Sequence, residues 1–237
     1  MAVEELKRQY LEAMGIQTWV LRDSAPAQPS ERVSAPAGRD RLSMMTDEWE
    51  HLAQQVKACT ACELSRSRTQ TVFGVGNRQA DWLIIGEAPG AEEDRRGEPF
   101  VGRAGQLLNA MLRAVGLKRE TVYIANILKC RPPNNRDPRP EEVTSCQGYL
   151  NAQIRLIQPK IMLAVGRIAA QQLLKTDRSL GALRGRVHTY GDSAVPLVVT
   201  YHPAYLLRTP ADKRKAWQDL QLAVRTLAAA DNGGLSS

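Results

Sequence analysis

Four short apolar runs, each followed by a stretch of helical periodicity, constrain this chain more than any other feature. The runs are Trp82–Ile85, Val122–Leu128, Ile161–Val165 and Val195–Thr200. The spacing predicts helices over residues 104–115, 141–157, 167–175 and 211–229. Another is predicted from a cap at Asp47 to about Ala58. In the first of these, Leu107, Leu108, Met111, Leu112 and Val115 share one face. Strands alternating with helices predict an α/β fold with a parallel sheet covered on both faces. No self-similarity at solenoid periods competes with that reading.

The ends read differently. Residues 1–22 predict an interaction segment: Leu6, Tyr10 and Met14 recur at helical spacing, Gly15 ends the helix, and an extended tail follows. Residues 23–45 are rich in Ser, Ala, Pro and Arg, with Pro26, Pro29 and Pro36, and read as a flexible linker. The globular domain is expected over 46–230, with a disordered tail at 231–237. Glu4, Glu5, Lys7 and Arg8 interrupt the place where a secretory signal needs apolar residues. The apolar runs fall well short of the ~20 residues of a membrane helix. A cytoplasmic, reducing location is therefore expected. The 32 basic against 25 acidic residues give a net charge of +7, which favours a polyanionic partner without deciding it.

In open parallel sheets, ligands bind beyond the carboxyl ends of the strands. The first run leads into Gly86-Glu87-Ala88-Pro89-Gly90. The second carries Asn126 near its end and reaches Cys130, and the fourth leads into Tyr201-His202-Pro203-Ala204-Tyr205. Glu87, Asn126 and His202 are thus expected at one edge. Residues 86–105 hold five glycines and read as a long loop without secondary structure, a length that usually signals function. No Gly-Lys-Ser/Thr follows, so this is not a Walker loop. Phe100, one of two Phe in the chain, suits a platform for a stacked base; it equally suits a plug in the core beneath the loop.

Four cysteines complete the set. Cys59 and Cys62 have ligand-pair spacing, while Cys130 follows the second strand and Cys146 falls in the next helix. Ordinary buried thiols are common, and a reducing compartment disfavours disulfides. Four thiolates suit either zinc or a [4Fe–4S] cluster.

Gly86-Glu-Ala-Pro-Gly90 followed by Pro99-Phe-Val-Gly-Arg-Ala-Gly105 resembles the first motif of the family 4 uracil-DNA glycosylases. Lys129-Cys-Arg-Pro-Pro133 and His202-Pro-Ala-Tyr-Leu-Leu-Arg208 resemble later motifs of that family, and the similarity runs over about residues 47–228. The resemblance implies a three-layer αβα sandwich around a four-stranded parallel sheet. It also implies a [4Fe–4S] cluster on Cys59, Cys62, Cys130 and Cys146, remote from the chemistry. The activity implied is hydrolysis of the N-glycosidic bond of a uracil flipped out of DNA, the opening step of base excision repair. Asn126 would read the uracil edge, Phe100 stack on the base, and His202 donate to uracil O2. Glu87, with the backbone around Ala88 and Pro89, would orient water on the sugar side. Glu93 matches the position that crowds the C5 edge against thymine's methyl. Leu206 or Leu207 would wedge into the base stack and Arg208 hold a phosphate. A related branch bonds covalently to DNA through a histidine in an added basic loop. Arg184, Arg186 and His188 lie in the corresponding stretch 178–192, but no insertion is apparent, so ordinary hydrolysis is expected.

Gly15-Ile16-Gln17-Thr18-Trp19-Val20-Leu21-Arg22 resembles the N-terminal peptide of the psi subunit of the bacterial DNA polymerase III clamp loader, which docks on the loader's ATPase subunits. Trp19 on a tether is the kind of anchor interfaces use. Two other readings follow: a psi-like adaptor built on a glycosylase fold, and a glycosylase for another deaminated base such as hypoxanthine.

Overall fold

The computed structural model describes residues 41–191 and 194–233. The chain divides into two units, Met1–Asp40 and Arg41–Ser237. The interaction segment at 1–22, the linker up to residue 40 and the last four residues lie outside the described residues.

The described chain runs α1 (Arg41–Ala58), α2 (Leu64–Ser67), β1 (Val75–Gly76), β2 (Trp82–Gly86), α3 (Ala91–Arg96), α4 (Arg103–Ala114), β3 (Tyr123–Asn126), α5 (Pro140–Ile157), β4 (Ile161–Val165), α6 (Arg167–Leu174), α7 (Leu180–Leu183), β5 (Val187–Tyr190), β6 (Val195–Thr200), α8 (Pro203–Arg208) and α9 (Lys213–Gly233). Short 3-10 turns sit at Pro133–Asn135 and Pro210–Asp212. Among these, no helix is long and apolar enough to cross a membrane.

The four apolar runs form the parallel centre of the sheet, in the order β3-β2-β4-β6. The four-stranded parallel sheet needs correction at both margins. β1 joins β3 antiparallel and β5 joins β6 antiparallel, so the sheet is mixed and six-stranded. Both edge strands leave faint sequence signals. β1 is two residues long, and β5 reads Val-His-Thr-Tyr with alternating exposure, which in sequence resembles a basic loop. Mixed sheets often carry such an antiparallel edge.

Residues alternate between the two faces as strand geometry requires. Leu83, Ile85, Met162, Ala164, Leu197 and Val199 pack with α1, α5 and α6, through Trp49, Leu52, Leu150, Ile154 and Leu173. Trp82, Ile84, Leu163, Val165 and Val198 pack with α4 and α9, through Leu108, Leu112, Leu220 and Ala223. Helices on both faces give the expected three layers.

Two local differences have clear causes. α1 begins at Arg41, inside the stretch expected as linker, because Arg, Leu and Met are good helix formers; Asp47 lies within the helix instead of capping it. The loop at 86–105 contains α3. Glu92, Glu93 and Asp94 stand in its first turn and Arg95 and Arg96 in its last, matching the helix dipole, and Gly97 closes it with φ 77°.

Candidate active site

All four parallel strands end at the same edge. The chain leaves β2 towards β3 on one side, while β4 and β6 lie on the other, so the order reverses between β2 and β4. That crevice is where open α/β sheets bind ligands. A cavity of about 470 Å³ opens there, lined by Glu87, Ala88, Glu93, Phe100, Asn126 and His202, with Tyr205 and Arg208 at its wall. The residues singled out in the sequence at the three strand ends therefore meet in one pocket.

Asn126 ends β3 opposite Gly86 in the parallel ladder. Its side chain is 2% exposed, and its Oδ1 has no hydrogen-bond partner. A buried polar atom left unpaired costs about 1–3 kcal/mol, so this oxygen is positioned for a donor brought by a ligand. Its backbone carbonyl is anchored: the buried Lys129 Nζ donates to it at 3.0 Å and to Gln153 Oε1 at 2.6 Å.

Phe100 lines the cavity and also packs in the core with α4, so the core reading holds and the ring stands where a stacking role would need it. Its backbone is left-handed, with φ 54°, a rare state for a bulky residue. Its ring centroid stands 5.6 Å from that of His202, tilted by 31°.

His202 caps α8. Its Nδ1 accepts from Ala204 N at 3.1 Å, which leaves the proton of a neutral ring on Nε2. Burial, with Arg208 nearby and against the pull of Glu93, holds its pKa down to about 4. The imidazole is thus a neutral donor at ordinary pH. Gly166, with φ 99°, lets the turn after β4 pass closely; a Cβ there would lie 3.1 Å from His202 Cβ. On the far side Tyr201 and Tyr205 stack at 5.1 Å across the same turn.

Glu87 follows β2 directly. Burial, then the nearby Asp137 carboxylate, raises its pKa to about 7, against Arg167. Glu93 stands in the cavity wall, and its Oε1 accepts from Val101 N at 2.9 Å and Gly102 N at 3.1 Å. Its carboxylate thus also holds the Phe100 turn.

The expectation for Leu206 needs correction. Leu206 is 1% exposed and belongs to the interior, whereas Leu207 is 38% exposed. The phase of α8 turns Pro203 and Leu206 inward together. His188 bonds the Leu183 carbonyl at 2.7 Å and does not line the cavity.

Sequence reasoning missed Asn135, Arg136 and Asp137, which also line the pocket. Pro132-Pro133-Asn134-Asn135 is a turn signature that could have flagged them. Asn134 and Asn135 take φ 55° and 52°, a conformation Asn tolerates. Arg131 Nε donates to Asn135 Oδ1 at 2.7 Å, and Asp137 pairs with Arg167 at 2.7 Å.

All four cysteines are free and line a second cavity with Arg68, Lys129 and Tyr149. No residue is shared between the two linings. Arg68 Nη1 donates to Cys130 Sγ at 3.0 Å, and Lys129 N to Cys146 Sγ at 3.2 Å. Burial pushes the Cys146 thiol up to about 11 and raises Cys130, which Arg68 opposes. Among the described residues, no three His, Cys, Asp or Glu side chains close on a single-ion position.

Comparisons with known proteins converge. The family model of the uracil DNA glycosylase superfamily matches residues 73–221. A type-4 uracil-DNA glycosylase of Archaeoglobus fulgidus is 44% identical over 165 residues, 67% of this chain and 83% of that protein. One from Thermotoga maritima is 43% identical, covering 73% of this chain and 92% of its own length. A type-5 uracil-DNA glycosylase of Pyrobaculum aerophilum is 29% identical over 55% of this chain and 64% of that protein. With the pocket at the strand ends and the matched region running from just before β1 into α9, the chain belongs to the uracil DNA glycosylase superfamily.

Proposed function

We propose that this protein is a uracil-DNA glycosylase that hydrolyses the N-glycosidic bond of a uracil extruded from DNA. The observation that carries this reading is the unpartnered Oδ1 of Asn126, buried in a pocket between an aromatic ring and a neutral imidazole. A fixed carboxamide accepts from uracil N3–H and donates to O4. Cytosine offers the opposite pattern at both positions. Each mismatch then leaves a buried group unpaired at about 1–3 kcal/mol.

Phe100 stacks on the extruded base. As the bond breaks, negative charge grows on uracil and positive charge on the sugar. Catalysis needs a donor where that anion develops. His202 Nε2–H is assigned to uracil O2, supported by the Nδ1 bond to Ala204 N. Glu87 in its charged form orients water and offsets the sugar's charge, with the backbone at Ala88 alongside. Glu93 borders the C5 edge. Leu207, exposed on α8, is the wedge, and Arg208 beside it holds a phosphate.

The four thiols are a donor set of the kind a [4Fe–4S] cluster takes: they share one cavity and lie apart from the pocket. Cys59, Cys62, Cys130 and Cys146 would hold it, and when bound it supplies a cross-link between the loop at 59–62, the end of β3 and α5. Free thiols suit the reducing cytoplasm. Docking of residues 1–22 on clamp-loader subunits rests on the psi-like sequence alone, and the adaptor reading is retained only with that segment.

The test is incubation with uracil-containing single- and double-stranded oligonucleotides, followed by alkali. Strand scission at uracil supports the reading. Cleavage only at hypoxanthine would reassign the base, and no cleavage of either substrate would overturn it.

A further inference from the structure

We infer that Arg119 is a positioning residue for the reaction: with Glu93 it clamps the turn at residues 99–102 from both sides and so sets where the Phe100 ring stands in the pocket. The inference rests on the reading of that pocket as the base site.

Phe100 is the only aromatic residue among the described residues with a left-handed backbone. L side chains avoid that region, so the surroundings must hold the turn against relaxation. Two groups do so. Arg119, in the connection between α4 and β3, reaches back with its guanidinium to two successive carbonyls. Its Nη2 donates to Pro99 O and its Nη1 to Phe100 O at 3.3 Å. The next two backbone N–H groups, of Val101 and Gly102, both donate to Glu93 Oε1 at 2.9 and 3.1 Å. One side chain thus takes both carbonyls and the other both amides, leaving the turn little freedom to flip.

The floor of the turn is equally specific. A Cβ at Gly105 would lie 1.7 Å from Phe100 O, so position 105 in the first turn of α4 must be glycine for the chain to close there. Beyond the turn, the ring closes on Gly86; a Cβ there would lie 2.7 Å from Phe100 Cζ. The point from which the ring enters the pocket is therefore set by its backbone, and the clamp holds that backbone. Arg119 itself does not line the cavity. It is half-buried, with Glu98, Glu120 and Glu93 as its charged neighbours. Its hydrogen bonds go to Pro99 and Phe100, so a rate effect that requires the Phe100 ring separates this role from a general structural one.

The test is a double-mutant cycle on the full-length protein, read as single-turnover release of uracil from a single-stranded oligonucleotide. Arg119→Gln is expected to lower the rate about tenfold when Phe100 is present, and less than about twofold in a Phe100→Ala background. Arg119→Lys should recover part of the loss, since one ammonium can reach one of the two carbonyls. Equal losses in both backgrounds, or full activity of Arg119→Gln, would overturn the inference. A second readout does not need the reaction: amide exchange across residues 98–102 should quicken in Arg119→Gln, and unchanged exchange would also overturn it. A wild-type protein that releases no uracil counts against the assigned reaction, and the exchange readout then decides the clamp alone.

Discussion

A single methyl group added at Gly86 would lie 2.4 Å from the Oδ1 of Asn126. The two residues face each other across the β2–β3 ladder, and the missing side chain of one makes room for the amide of the other. Gly86→Ala should therefore displace the amide or the Phe100 ring while the strand still pairs. We expect uracil release to fall by about two orders of magnitude, with DNA binding retained in a gel-shift assay. Unchanged release would show that the amide does not depend on this approach.

Asn126→Ala and His202→Ala should each slow uracil release by orders of magnitude while both proteins still bind DNA. In subsaturating kinetics Asn126→Ala should also lose its preference for uracil over cytosine, because the pairing pattern is gone. Full activity in both variants would remove the site assignment.

The pH profile carries a separate prediction. The Glu87 pKa is raised from 4.5 to about 7, so its carboxylate form accumulates only as pH rises through 7. Release should climb across that point and level off above it, and Glu87→Gln should flatten the climb. His202, held near 4, stays neutral throughout this range and adds no limb. Stability moves the other way for Glu87. Between pH 4.5 and 7 the folded state holds the proton more tightly than the unfolded state. This group's contribution is therefore full below 4.5 and is lost as pH rises through 7. Thermal melts of wild type and Glu87→Gln across pH 5–8 would check the sign.

The two adjacent leucines of α8 should separate cleanly. Leu206→Ala should cost about 2–5 kcal/mol of stability, as core truncations do, measured by denaturant melts. Leu207→Ala should leave the melt nearly unchanged and slow release from duplex more than from single strands. The reverse pattern would mean the helix presents its other face.

Iron removal gives the last prediction. A purified sample should carry iron and sulfide, and Cys146→Ser should lose both and melt at a lower temperature. Full iron content in Cys146→Ser would exclude that cysteine from the ligand set.

Much of this molecule was legible because its central strands are buried on both faces, so Ile161–Val165 and Val195–Thr200 appear in sequence with the bounds they have in the fold. Glu87, Asn126 and His202 were legible because a parallel sheet sends all its strand ends to one edge. What stayed hidden depends on contacts distant in sequence. β5 gains its place by pairing with β6, and Asp137 in the pocket wall pairs with Arg167 at the start of α6, 30 residues away. Leu206 and Leu207 are chemically identical, and only the rotation of a six-residue helix tells them apart. The left-handed backbone of Phe100 has no signature at Phe100 itself, and the close approach of its carbonyl to Gly105 appears only in the fold.

The imidazole of His202 caps a helix through one nitrogen and also lines the pocket. Helix caps contribute about 1 kcal/mol, so loss of this ring weakens the fold as well as the reaction. A lineage that abandoned base excision would still be selected to keep a capping side chain there. Among capping residues, Ser, Asp and Asn cap as well but carry no ring N–H. With the role proposed above for His202, residue 202 in a relative would separate a retained scaffold from a working enzyme.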